Sequence, residues 1–192
     1  MRVRTRTKWN QKDQPRDFDQ VGSALAFNAW RIATAALLEL ENDGFQTDTQ
    51  KQRLDIIVEF LVFLLHSTDR LVYGRVSDQD RAGLITAFAR HVDRIVRDNA
   101  RDTRGAEEYA GGIIDLINEI SNEYVEYPFT DGEPSFSYLR VFADRVAARM
   151  GPRDNKWILD HVMQVEGPES IRALKKALRS LVPETKNPAT AG

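Results

Sequence analysis

Six polar side chains of the second predicted helix share one narrow strip. Asp55, Glu59, His66, Asp69, Arg70 and Tyr73 recur at spacings of three, four and seven, with Val62 among them. At about 100° per residue these spacings place them in roughly one quadrant, within side-chain reach of one another. Carboxylate, imidazole, guanidinium and phenol together can make a polar pocket. His66 and Asp69 suit an oriented imidazole–carboxylate pair for acid–base work. Glu59 and His66 lie two turns apart, so they can hold one metal ion only with a ligand from another helix. Glu123 is the candidate third ligand. The structural alternative is that the strip is a solvent edge, or a buried hydrogen-bond and ion-pair network that fixes helix register.

Two other helices offer partners for this strip. Arg31, with Asn28 one turn before it, stands in a nearly all-apolar first helix. A charge there tends to be paired, and Glu59 or Asp55 is the expected partner; the alternative is that Arg31 reaches along the helix to solvent. The fourth predicted helix supplies Glu119, Glu123 and Tyr124, with Asn122 beside them. With His66 they could complete a carboxylate-rich site, although the Glu-x-x-His pair of ferritin-like di-metal bundles is absent from the sequence. His91 and His161 read as boundary histidines. No glycine-rich phosphate loop or nucleophile elbow is present, and the sequence implies no cofactor.

The N-terminal segment, residues 1–17, is of a different kind. Arg2, Arg4, Arg6 and Lys8 alternate with Val3, Thr5, Thr7 and Trp9, and residues 1–16 hold six basic side chains against one acidic. Period two with β-branched residues predicts an extended arm. Its charge suits a phosphate backbone, and its alternation suits strand addition to a partner or a second copy, with Trp9 as anchor. A solvated terminus is the plain alternative.

These groups must be carried by helices. The chain has 192 residues, 42% hydrophobic and 29% charged, which predicts one domain able to fold without staples. It contains no cysteine, so disulfides, thiol catalysis and thiolate metal sites are excluded. A reducing, cytoplasmic location is the matching expectation. The net charge of −2 gives no global field toward nucleic acid or membrane. The apolar stretch Val21 to Leu40 is interrupted by Asn28, Arg31 and Glu39, and Ile56 to Leu65 is too short, so no membrane span is expected.

Helices are predicted over about 19–41, 48–73, 78–102, 106–127, 136–150, 154–165 and 169–181. Asn42-Asp43-Gly44, Gly74, Pro128 and Gly151-Pro152 stop four of them, and Gly167-Pro168 is expected to break or kink the sixth. No strand is expected beyond the arm, and 183–192 reads as a disordered tail. The fold class is therefore all-α: a single-domain bundle of six to seven helices with an extended arm.

Two local patterns carry a resemblance. Phe63-Leu64-Leu65-His66 with Asp69-Arg70 closes the second helix; Asn118, Glu123-Tyr124, Tyr127 and Pro128-Phe129 close the fourth. Over roughly residues 50–180 the chain resembles a group of uncharacterised bacterial helical proteins of similar size. Tyr73-Gly74 stands where that group would have a bulkier apolar pair. The resemblance implies an all-α domain and draws attention to His66, Asp69, Arg70, Glu123 and Tyr124, without implying an activity. The leading expectation is a non-enzymatic helical binding or scaffold protein that self-associates, using the arm and the Ile171–Leu181 stripe. The runner-up is a metal- or small-ligand-binding bundle, enzyme or not, using the second helix. Nucleic-acid binding through the arm is third.

Overall fold

The computed structural model describes residues 17–151 and 155–182. The arm with Arg2, Arg4, Arg6, Lys8 and Trp9, and the tail from Pro183, lie outside the described residues. Within them the chain is an all-α bundle: α1 Phe18–Asn42, α2 Gln50–Val72, α3 Asp78–Arg101, α4 Ile114–Val125, α5 Phe136–Arg149, α6 Asn155–His161 and α7 Gly167–Leu181.

Local chemistry sets the helix ends. Asp17 Oδ1 accepts from the N–H groups of Asp19 and Gln20 at 3.1 and 3.3 Å and starts α1. Thr49 and Ser77 hydroxyls do the same for α2 and α3. At the far end of α1, Gly44 has φ +96° and the Phe45 N–H reaches back to the Leu40 carbonyl at 3.0 Å. That closing turn needs the left-handed conformation glycine adopts without steric cost.

The centre of the bundle is α2. Every residue from Leu54 to Leu65 is buried, with α1, α3, α5, α7 and α4 packed around it. A helix buried all round is apolar all round except where a polar side chain finds a partner. Phe63 stacks on Phe142 at 4.0 Å, Phe60 meets Phe142 edge-on at 4.8 Å, and Tyr124 lies 4.7 Å from Tyr138. Against α3, α1 packs tightly at Gly22: a Cβ there would stand 2.7 Å from the Ala87 carbonyl carbon.

Helix α1 is also long and apolar enough to cross a membrane by length and composition, with a mean hydropathy of 1.3 in its best window, despite Asn28, Arg31 and Glu39. In the fold it buries Val21, Leu25, Ala26, Ala29, Ala33, Ala36, Leu37 and Leu40 against other helices.

Three expectations require correction. The fourth helix does not begin at Ala106. A 3-10 turn, Glu107–Tyr109, comes first, and α4 starts only at Ile114. Gly112 has φ +96°, a backbone state that cannot continue a right-handed helix. Second, a short antiparallel ladder joins α4 to α5, pairing Phe129 with Pro134 and Thr130 with Glu133 around Asp131 and Gly132, both at positive φ. The residues read as a plain turn thus form a two-residue hairpin. Third, of the break or kink expected at Gly167-Pro168, the break does not occur. A π-helical turn, Val162–Glu166, runs from α6 into α7, with proline in the first turn of α7. Proline has no N–H to give to the preceding turn, and the wider i→i+5 turn absorbs the fault upstream of it.

Candidate functional site

The α2 strip is dispersed among separate partners. Asp55 receives the Tyr109 hydroxyl at 2.8 Å and the Lys51 ammonium at 2.8 and 2.9 Å. Burial, and then the Asp55 carboxylate, hold the Tyr109 phenol well above its ordinary pKa, so it remains a proton donor. Glu59, 2% exposed, is gripped by two arginines of α5: Arg145 Nε at 2.7 Å and Arg149 Nε at 2.9 Å. Arg145 also reaches Glu123, itself exposed, at 3.5 Å.

The remaining strip residues fasten other elements. His66 stacks on Tyr124 at 5.1 Å. Burial, joined by the Arg70 charge and opposed by a backbone hydrogen bond with Ile117, lowers its pKa to about 4. The imidazole is therefore neutral near pH 7. Arg70 donates to the carbonyls of Tyr124 and Val125 at 3.1 and 2.9 Å, capping the end of α4. Asp69 pairs with Arg81 at 3.3 Å, and Arg81 lies over the ring of exposed Tyr73 at 5.0 Å. The two local patterns that closed the second and fourth helices thus meet in space: Phe63, His66 and Arg70 all pack on Tyr124. Buried Tyr124 is held far above its usual pKa, mainly by burial.

Several sequence expectations are corrected here. The Ile171–Leu181 stripe is not a free docking surface: Ile171, Leu174 and Leu178 are buried in the core, because α7 turns this face toward the other helices. Arg31 meets neither Glu59 nor Asp55; it is exposed, with its guanidinium 6.0 Å from the Phe27 ring. Its helix position faces outward, and Arg145 and Arg149 occupy Glu59 instead. His66 and Asp69 do not pair, since Asp69 turns to α3 while His66 turns to α4. Glu119 is exposed on α4. Glu59, His66 and Glu123 are not gathered as metal ligands. Among the described residues, the one group of three histidine or carboxylate side chains with ligand atoms within 4.8 Å of one another is Asp43, His161 and Glu166.

That group lies where the end of α1 meets the π turn. His161 Nε2 is 3.1 Å from Asp43 Oδ2 and 3.5 Å from Glu166 Oε1. Its ring packs on Phe45 at 5.2 Å between centroids. Glu166 is 3% exposed. Burial raises its pKa to about 7, with Glu169, Asp43 and Glu39 adding like-charge repulsion in that order. Glu166 also lines a groove of about 590 Å³ between α1 and α7, where Ala35, Ala36, Ala173 and Ala177 leave space and Arg31, Lys176, Glu39 and Glu169 contribute to the lining.

Sequence reasoning missed this corner. His161 was seen alone, and Asp43 was read as part of a stop signal. Glu166 had no signal, because residues five apart do not share a face of an α-helix. Arg145 and Arg149, four apart on α5, were legible as a pair in principle. No family model, curated protein or solved structure matches this chain.

Proposed function

We propose that this chain is a non-enzymatic helical binding protein that docks a protein partner, a second copy of itself first of all, through the face formed by α1 and α7. The observation that carries this is the groove between those helices. Small side chains, Ala35, Ala36, Ala173 and Ala177, line it and allow close approach of a helix backbone. On the adjoining face of α1, Phe27 and Leu38 are 60% and 50% exposed, eleven residues apart and therefore nearly in line along the helix. Exposed apolar side chains beside a concave surface favour a docking role.

The acid–base alternative on α2 loses support from the same geometry. Asp55, Glu59, Asp69, Arg70 and Tyr73 are each held by a partner, and His66 stacks on Tyr124 in the interior with its Nε2 buried and without a hydrogen bond. Light scattering on the full-length protein tests the docking proposal. A dimer or higher oligomer is expected at micromolar concentration, converting to monomer in Leu38→Glu and in Ala177→Arg. A strict monomer at every concentration overturns the self-association reading, and an oligomer that both variants leave intact moves it off this face.

A further inference from the structure

We propose that Asp43, His161 and Glu166 bind one first-row divalent cation, of the kind Zn²⁺ represents, at the corner between α1 and the π turn. Glu166 also lines the docking groove, but the ligand set is argued from its own geometry and does not require a docked partner.

The ligand set comes first. One imidazole and two carboxylates, with room for solvent, match the three-ligand sites that leave a metal an open position. Calcium and magnesium favour all-oxygen shells, so the imidazole selects for the transition series and zinc. Bonds of about 2.0–2.2 Å in a tetrahedron put neighbouring ligand atoms about 3.3–3.6 Å apart. His161 Nε2 already stands 3.1 and 3.5 Å from its two carboxylate neighbours, and no pair of the three exceeds 4.8 Å. Asp43 is half exposed, so its carboxylate is free to adjust and the ion has a path inward.

A second observation points to a cation. His161 Nε2 is buried and makes no hydrogen bond, although two acceptors are near it. The nitrogen thus stands between two carboxylates at 3.1 and 3.5 Å without a well-formed hydrogen bond to either, an arrangement that a shared metal ion explains. The Glu166 side chain is 4% exposed, and its one ion pair among the described residues is with His161 itself. Glu39 and Glu169 line the same groove as Glu166, together with Arg31 and Lys176.

The π turn explains how the ligands meet. His161 and Glu166 are five residues apart, which in an α-helix places them on different faces. The i→i+5 closure of Val162–Glu166 brings them to one side. Phe45 lies against the imidazole and limits its rotation.

Titration calorimetry of the full-length protein with ZnCl₂, at pH 7.5 in a non-chelating buffer, tests the site. One Zn²⁺ per chain and a rise in Tm with added Zn²⁺ are expected. The Co²⁺ form should show the visible absorption of a four- or five-coordinate ion. Glu166→Gln, Asp43→Asn and His161→Gln should each weaken binding at least tenfold. Glu166→Gln serves as the folding control: without metal it should melt no lower than the parent at pH 7.5, because it removes a crowded charge while keeping the side chain's shape. Absence of heat and of any Tm shift at millimolar Zn²⁺ overturns the proposal. So does stoichiometric binding that Glu166→Gln and Asp43→Asn leave unchanged.

Discussion

Glu59 and Glu166 are both almost fully buried, 2% and 3% exposed, yet they sit in opposite electrostatic surroundings. Glu59 lies between Arg145 and Arg149, and its charge is matched twice over. Glu166 has three acids acting on it, and its one ion pair among the described residues is the 3.5 Å contact with His161. A buried carboxylate that is paired acts as a joint between helices. One that is crowded by like charge holds free energy that a cation can release. The contrast separates the part of the molecule devoted to holding α5 on α2 from the part still able to bind something.

Removing Glu59 should have the largest effect. Glu59→Ala strips two partly buried arginines of their shared buried anion, leaving Arg145 only its long contact with Glu123, and stability in urea unfolding should fall by about 3 kcal/mol. A loss under about 0.5 kcal/mol would abolish the distinction, because Glu59 would then be no better held than a surface acid.

Acid titration probes the same region through His66. Its folded pKa, about 4, lies below the ordinary 6.5. Between these values the unfolded chain binds the proton and the folded one does not. Stability from this group is therefore complete above pH 6.5 and is lost as pH falls toward 4. Over 2.5 units the loss is at most about 3 kcal/mol. Comparing the parent with His66→Phe from pH 7 to pH 4 should isolate it, since the phenylalanine variant lacks that slope.

Glu166 runs the other way. Its folded pKa, about 7, lies above the ordinary 4.5, so its contribution is greatest below pH 4.5 and is lost as pH rises through 7. Without metal, Glu166→Gln should melt above the parent at pH 8 and close to it at pH 4.5. Equal melting at both would mean that the acidic corner carries no strain. The smallest effect is expected at Glu123: its contact with Arg145 is long and half exposed, and Glu123→Ala should change stability by less than about 0.5 kcal/mol.

How much of this could be read from the chain differs from element to element. Helix ends followed local chemistry, so the starts after Ser77 and Ser135 and the Asn42–Gly44 stop were legible: each cap is a contact between residues a few positions apart. The grouping of Asp55, Glu59, His66, Asp69, Arg70 and Tyr73 was also legible, because helical periodicity alone fixes it. Their partners were not. Arg145 is 86 residues from Glu59 and Tyr109 is 54 from Asp55, and nothing local encodes which helix packs opposite. Hence Arg31, the closest cation in an apolar helix, was the wrong partner, and the strip's pocket became a set of fastenings.

By itself the sequence determined the all-α class, most helix limits and the faces on which polar groups gather, since these depend on interactions within one or two turns. Tertiary packing decided that α2 is the buried centre, that its Glu59 is neutralised from α5, and that Asp43, His161 and Glu166 converge. The last depends on a π turn that reorients two side chains, and on α1 ending beside it. Both are consequences of how the helices close on one another, a long-range balance that no short window of residues contains.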